Sequence, residues 1–169
     1  MGIFSRILKN VVAAAAPESV KDDKKVIRHR ITGTSYHQDA IQAMGKKNPD
    51  FALTKRDLFK RGLEEPVYEY TFKPKKAELV PEPENPHDPN AIKVLVDGVH
   101  VGYIKAGSCA HIHKLLREDR IVKIVPTIYG GKSKHLCTYD ANAKRLEDYD
   151  LEKNEAPFGV FLQIVEKNA

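Results

Sequence analysis

Apolar and polar residues alternate with a period of two along several short stretches of the chain. In VIRHRI (26–31) Val26, Arg28 and Arg30 fall on one side, and Ile27, His29 and Ile31 on the other. That spacing is the mark of a half-buried strand. Gly33 follows it and permits a bulge or a close backbone approach. VYEYTFK (67–73) alternates again, and AELVPEP (77–83) is a second short strand ended by prolines. AIKVLVDGVHVGYIK (91–105) reads as two strands joined at Asp97-Gly98, the strongest short-range hairpin signal. IVKIVPTIYGG (121–131) is a strand with KHLCTYD (134–140) as its returning partner, and FGVFLQIVE (158–166) closes the chain as the last strand.

The helical period appears between these strands. One helix runs from Gln38 to Met44 and stops at Gly45. A second is capped by Thr54, with Asp57 at the third helical position, and runs to Gly62 with Leu58 and Phe59 facing inward. A third opens at Gly107-Ser108, with Ser108 as N-cap and Ala110, Ile112, Leu115 and Leu116 as its apolar face. Residues 142–155 are charged and predict a solvated loop or a short helix. Six or more short strands with helices among them favour a small α+β or barrel fold over a doubly wound parallel sheet.

The N-terminus reads differently. Ile3, Phe4, Ile7, Leu8, Val11, Val12 and Ala15 recur at three- and four-residue spacing, with Ser5, Arg6, Lys9 and Asn10 on the other face. This predicts an amphipathic helix, ended by Pro17 and followed by a charged linker to about residue 25. Its uninterrupted apolar run is short for a signal peptide, and no stretch approaches the ~20 apolar residues of a membrane span.

Composition narrows the class. The chain has 169 residues, of which 41% are hydrophobic and 30% charged, enough for one compact domain. Its two cysteines cannot build a disulfide framework, so a reducing cytoplasm is expected. A net charge of +5 suits a polyanionic partner, either nucleic acid or an anionic membrane surface.

Several constellations could carry chemistry. Gly131-Lys132-Ser133 resembles the end of a phosphate loop, but Pro126 stands where the motif requires glycine and no helix follows. A basic hairpin tip or a plain solvated turn fits better. Cys109, His111 and His113, with His100 nearby, suggest zinc by type. On a helix, however, His111 would point about 160° away from Cys109, against the convergence a metal needs. Glu82, Glu84 and Asp88, with Asp97 downstream, could hold Mg²⁺ for nuclease work or form an acidic, solvated loop. Neither cofactor nor metal is expected. The aromatic set Tyr36, His87 and Tyr103 is more telling, because aromatic faces near cations suit single-stranded nucleic acid. The spacing equally allows Tyr36 and Tyr103 to pack in the core.

ITGTSY (31–36), followed by LVPEPENPHDPNAIKVLVDGVHVGYIK (79–105) and a helix containing Leu115-Leu116, resembles the HIRAN domain. The likeness rests on a first strand ending in a G-x-x-Y turn, an N-P-x-D-x-N-A-I-x-V segment and a following V-G-Y. HIRAN domains occur in fork-remodelling helicases and as stand-alone bacterial or phage-like proteins, which this chain is more similar to. The resemblance implies a modified OB-like, mainly antiparallel β-barrel over residues 26–166, with helices packed on it and a helical insertion at about 37–65. It implies a non-enzymatic module that binds single-stranded DNA at 3′ ends, in DNA repair, replication or mobile-element processing. By position Tyr36 and His87 would sandwich the terminal base, Asp88 would accept from the 3′-hydroxyl, and Asn85 would shape the loop. Tyr103 and Lys105 would touch the strand. The chain departs from the helicase pattern at Ser35, where arginine stands, at His87, where tyrosine is common, at Tyr103, where histidine stands, and at Pro81. The ATPase and zinc-binding RING of the helicases are not expected here. A protein- or membrane-docking adaptor using the N-terminal helix is the alternative from another class, and a metal-dependent nuclease a further one.

Overall fold

The computed structural model describes residues 24–167. The amphipathic helix expected at the N-terminus lies outside them. The charged linker ends sooner than its composition suggests, because Lys24 and Lys25 already belong to the first strand.

Nine strands and three α-helices are present among the described residues. Strand β1 (Lys24–Arg30) pairs antiparallel with β9 (Asp150–Lys167), which pairs antiparallel with β8 (Ile121–Cys137). The two-residue β3 (Val67–Tyr68) adds to the far edge of β8, giving the order β1-β9-β8-β3. A second sheet is the meander β5 (Ala77–Pro81), β6 (Ile92–Val96) and β7 (Val99–Tyr103). β2 (Lys46–Lys47) and β4 (Tyr70–Thr71) form a small third pair. The helices are α1 (Gln38–Ala43), α2 (Lys55–Arg61) and α3 (Ala106–Arg117).

The core lies between the sheets and is closed by helices. Alternation in β6 sends Ile92, Val94 and Val96 inward, and alternation in β9 sends Val160, Leu162 and Ile164 to meet them; all six are fully buried. Cys109, Ile112 and Leu115 of α3 and Ile41 of α1 complete the same cluster. Each such aliphatic side chain contributes ~1.5–3 kcal/mol on leaving water.

The fold is mostly antiparallel β with helices, as expected, but its ladders do not run round into a closed barrel. Beyond Arg30 the two larger sheets meet at one bridge, where Thr32 and Tyr103 exchange N–H···O bonds of 2.9 Å. The crossing is tight. A methyl at Gly102 would come within 2.2 Å of the Thr32 carbonyl oxygen, and Gly102 has φ 144°. After Thr32 the chain turns away at Gly33 (φ 74°) into a 3-10 turn (Thr34–Tyr36), so the ladder stops there.

Several elements differ from their sequence reading. The expected strand 67–73 is split, because Val67–Tyr68 pairs with β8 while Tyr70–Thr71 turns to β2; Glu69 between them donates its N–H to Lys132 O at 2.9 Å. KHLCTYD is not a returning partner. β8 continues through it to Cys137, and the return is β9, which starts at Asp150 inside the segment expected to be solvated. Gly131-Lys132-Ser133 is therefore strand interior and not a hairpin tip. Gly130 (φ 94°) and Gly131 (φ 85°) make a bulge opposite Pro157, whose carbonyl oxygen would lie 2.2 Å from a methyl at Gly130. α3 opens one turn earlier than expected, with Lys105 in the N-cap position and no side-chain cap; the Ser108 N–H donates to Lys105 O.

The 37–65 segment is helical in two places. α1 follows the expected span, and α2 has the expected capping box: Thr54 Oγ1 accepts the Asp57 N–H at 3.2 Å, and Asp57 accepts the Thr54 N–H at 2.8 Å. Leu58 is fully buried, while Phe59 is half-buried and edge-on to Tyr149. Lys134, itself buried on β8, ties the segment down by donating to Leu53 O and lying 5.0 Å from the Phe51 ring centroid.

Candidate functional site

The loop between β5 and β6 is built by local hydrogen bonds. Asn85 Oδ1 accepts the N–H groups of His87 (2.9 Å) and Asp88 (3.2 Å), the self-bonded turn that Asn favours. Asp88 then accepts the Asn90 N–H at 2.8 Å through Oδ1. Pro86 and Pro89 fix φ on either side of Asp88, so little entropy remains to be lost there. His113 on α3 holds the loop from below, with Nε2 3.0 Å from Asn90 O. A carbonyl only accepts, so this nitrogen carries the proton.

Glu82 joins the loop to the hairpin. It accepts from Asn85 Nδ2 (3.1 Å) and from the Tyr103 hydroxyl (3.1 Å), and pairs with Lys93. Lys93, then Asn85, hold its carboxyl below the usual range, so it is ionised at neutral pH. Burial, then the bond to Glu82, push the Tyr103 phenol up, so it stays protonated. Tyr103 is held at its other side as well. Its carbonyl accepts from Thr32 Oγ1 at 3.1 Å, and His100 lies edge-on to its ring at 5.0 Å.

Tyr103 and Thr32 link three concavities into one groove. A central cavity of about 300 Å³ is lined by Thr32, Asn85, His87, Asp88, Tyr103 and the start of α3. On one side Tyr103, Asn85, Glu82 and Glu84 line a space of about 490 Å³. On the other, Thr32, Gly33, Ser35, Lys105 and Arg30 line one of about 480 Å³. The positive end of α3 faces the central cavity, which favours an anionic group there.

Six of the seven residues singled out in the sequence thus border one groove: Ser35, Asn85, His87, Asp88, Tyr103 and Lys105. Tyr36 is beside it on the 3-10 turn but lines none of these spaces and is 89% exposed. Thr32 and Arg30 also border the groove, although in the sequence both read as ordinary strand residues. Glu82, which the sequence allows as a Mg²⁺ ligand or as part of an acidic, solvated loop, is instead committed to Lys93, Asn85 and Tyr103. The remaining metal candidates diverge. Cys109 is buried, with Sγ 3.7 Å from Ile104 O, His111 lies 3.2 Å from Glu166, and His113 is bound to Asn90. Among the described residues no group of three His, Cys, Asp or Glu side chains could hold a metal ion.

A family model described as the HIRAN domain matches residues 24–146, from the start of β1 through the loop, the hairpin, α3 and β8. The chain belongs to the HIRAN family. HIRAN domains bind nucleic acid, and the groove is bordered by Asn85, Pro86, Asp88 and Tyr103 of the segments that resemble the family. No curated protein and no solved structure matches it. No helix among the described residues is long and apolar enough to cross a membrane.

Proposed function

We propose that this HIRAN domain binds single-stranded DNA and captures its 3′ end in the groove around Tyr103. The carrying observation is the convergence of Asn85, His87, Asp88, Tyr103 and the positive end of α3 on one cavity. Asp88 has one oxygen committed to Asn90, and its second takes no hydrogen bond from the described residues. A carboxylate oxygen accepts from a terminal hydroxyl and repels a terminal phosphate, so it distinguishes the two ends. The uncapped start of α3, with Lys105, suits the adjoining internucleotide phosphate. His87 and the exposed Tyr36 supply the stacking faces for the terminal base, the latter from a short turn.

The domain works as a binding module without chemistry of its own, in DNA repair, replication or mobile-element processing in the cytoplasm. The proposed extent of the module is about 26–166; the place of β9 between β1 and β8 supports counting the last strand in it. The barrel-like curvature of an OB-like domain is the shape that would wrap a strand around the Thr32–Tyr103 crossing.

Anisotropy with labelled oligonucleotides ending in 3′-hydroxyl or 3′-phosphate tests the proposal. The hydroxyl end binds more tightly, Asp88→Asn narrows the preference, and Tyr36→Ala weakens binding about tenfold. Equal affinity for both ends, together with an unaffected Tyr36→Ala, rejects end capture.

A further inference from the structure

The face of the four-stranded sheet turned away from the core carries a second set of nucleic-acid-like contacts. The strand register puts Arg30 beside Phe161 and Arg28 beside Gln163. Thr127 flanks Phe161 on its other side, and Lys123 flanks Val165. Leu162 and Ile164, between these β9 positions, are buried, so Phe161, Gln163 and Val165 point outward. Tyr129 lays its ring over Gly159, where a methyl would come within 2.3 Å of it. The ring stacks on Phe161 with centroids 4.8 Å apart and planes 26° from parallel. Phe161 is nevertheless 40% exposed.

Over the stretch around Phe161 the charge on this face has one sign. The paired stretches 26–30, 123–129 and 159–165 contain no Asp or Glu. Arg28, Arg30 and Lys123 are exposed and form no ion pair with the described residues. An exposed aromatic stack among unpaired cations is poorly suited to a neutral apolar partner and well suited to a strand of bases and phosphates. The face also continues the groove. Arg30 lines the cavity it shares with Ser35 and Lys105, and the same strand position places it beside Phe161.

We propose that this outer sheet face is a second contact surface for single-stranded nucleic acid. The Tyr129–Phe161 stack takes a base, while Arg28 and Lys123 take phosphates. The direction of the strand, leaving the groove past Arg30, rests on the end-capture reading; binding at the face itself requires no terminal hydroxyl.

Circular single-stranded DNA, which has no ends, separates the two. The chain contains no tryptophan, so Phe161→Trp places a single, selectively excitable tryptophan on the face. Circular DNA and an oligonucleotide of roughly sixteen nucleotides should quench it, and a 3′-hydroxyl oligonucleotide of roughly four should not. Phe161→Ala and Arg28→Glu should each weaken circular DNA about tenfold while leaving the short oligonucleotide within about twofold. If circular DNA does not bind, or binds both variants as it binds the wild-type chain, the proposal is overturned. It is equally overturned if the Phe161→Trp fluorophore is shielded from iodide in the DNA-free protein, which would mean that another segment or a second copy covers the face. Loss of the 3′-hydroxyl preference alone, with circular DNA still sensitive to both variants, rejects end capture and supports the outer face.

Discussion

His100 is where the acid–base chemistry of single residues touches the groove. Its ring lies 4.2 Å from that of His37 and 5.0 Å from that of Tyr103, and its Nε2 is buried without a hydrogen bond. Burial, then the neighbouring His37 and Lys93, hold its pKa below the ordinary 6.5. His29 is lowered too, by burial and then by His111. For both residues the unfolded chain binds protons more readily than the folded one. Stability from these sites is therefore fully present above the ordinary histidine value and is lost as pH falls below it towards the folded pKa values. The thermal midpoint should drop between about pH 7.5 and pH 5.5, and His100→Phe, which keeps a ring against Tyr103, should shrink that drop. A midpoint with the same pH dependence in the variant removes His100 from the account. Neither the histidine's neighbours nor the role of Glu82 could be read from the sequence. The resemblance implies the loop-shaping role of Asn85, which needs only partners two and three residues away, whereas Glu82 depends on Tyr103, twenty-one residues on.

Glycine decides how the elements cross. The hairpin glycine Gly98 and the bridge glycine Gly102 lie on the same short segment, but their surroundings differ. Gly98 (φ 83°) has nothing within 4 Å of an added methyl, while Gly102 would drive one into the Thr32 carbonyl. Gly98→Ala should cost only the backbone penalty, about 1 kcal/mol. Gly102→Ala adds a backbone clash at the bridge between the sheets and should cost about 3 kcal/mol or more. Urea denaturation of the two variants measures the difference; equal losses would mean that the Thr32 crossing does not constrain the fold. The same contrast explains which elements were legible. Asp97-Gly98 and the Thr54–Asp57 capping box are local chemistry and form where the sequence puts them. Gly130-Gly131 has the composition of a turn, yet its left-handed geometry is used as a bulge in a strand that runs on to Cys137. Only the long-range pairing with β9 settles that, and pairing partners are not written in alternation.

At the scale of the whole molecule, alternation made β9 visible as a strand but not as the strand that joins β1 to β8. Charge behaves in the same way. A net +5 suits a polyanionic partner, but only the register collects Arg28, Arg30 and Lys123 on one acid-free stretch of the outer face and brings Arg30 to the groove edge beside Lys105. This arrangement has a thermodynamic signature in salt. Each phosphate neutralised on a single strand contributes about −0.7 to the slope of log K against log[salt], because a condensed counterion is released. A short 3′-hydroxyl oligonucleotide that fills only the groove meets Arg30 and Lys105, so its slope should be about −1.4. One long enough to cross the sheet also meets Arg28 and Lys123, so its slope should steepen to about −2.8. Arg28→Glu should flatten the second slope and leave the first unchanged. Titrations of both lengths across a range of salt concentrations test the whole path at once. Identical slopes would confine the strand to the groove, whereas a length-dependent slope that Arg28→Glu reduces would carry it across the outer face.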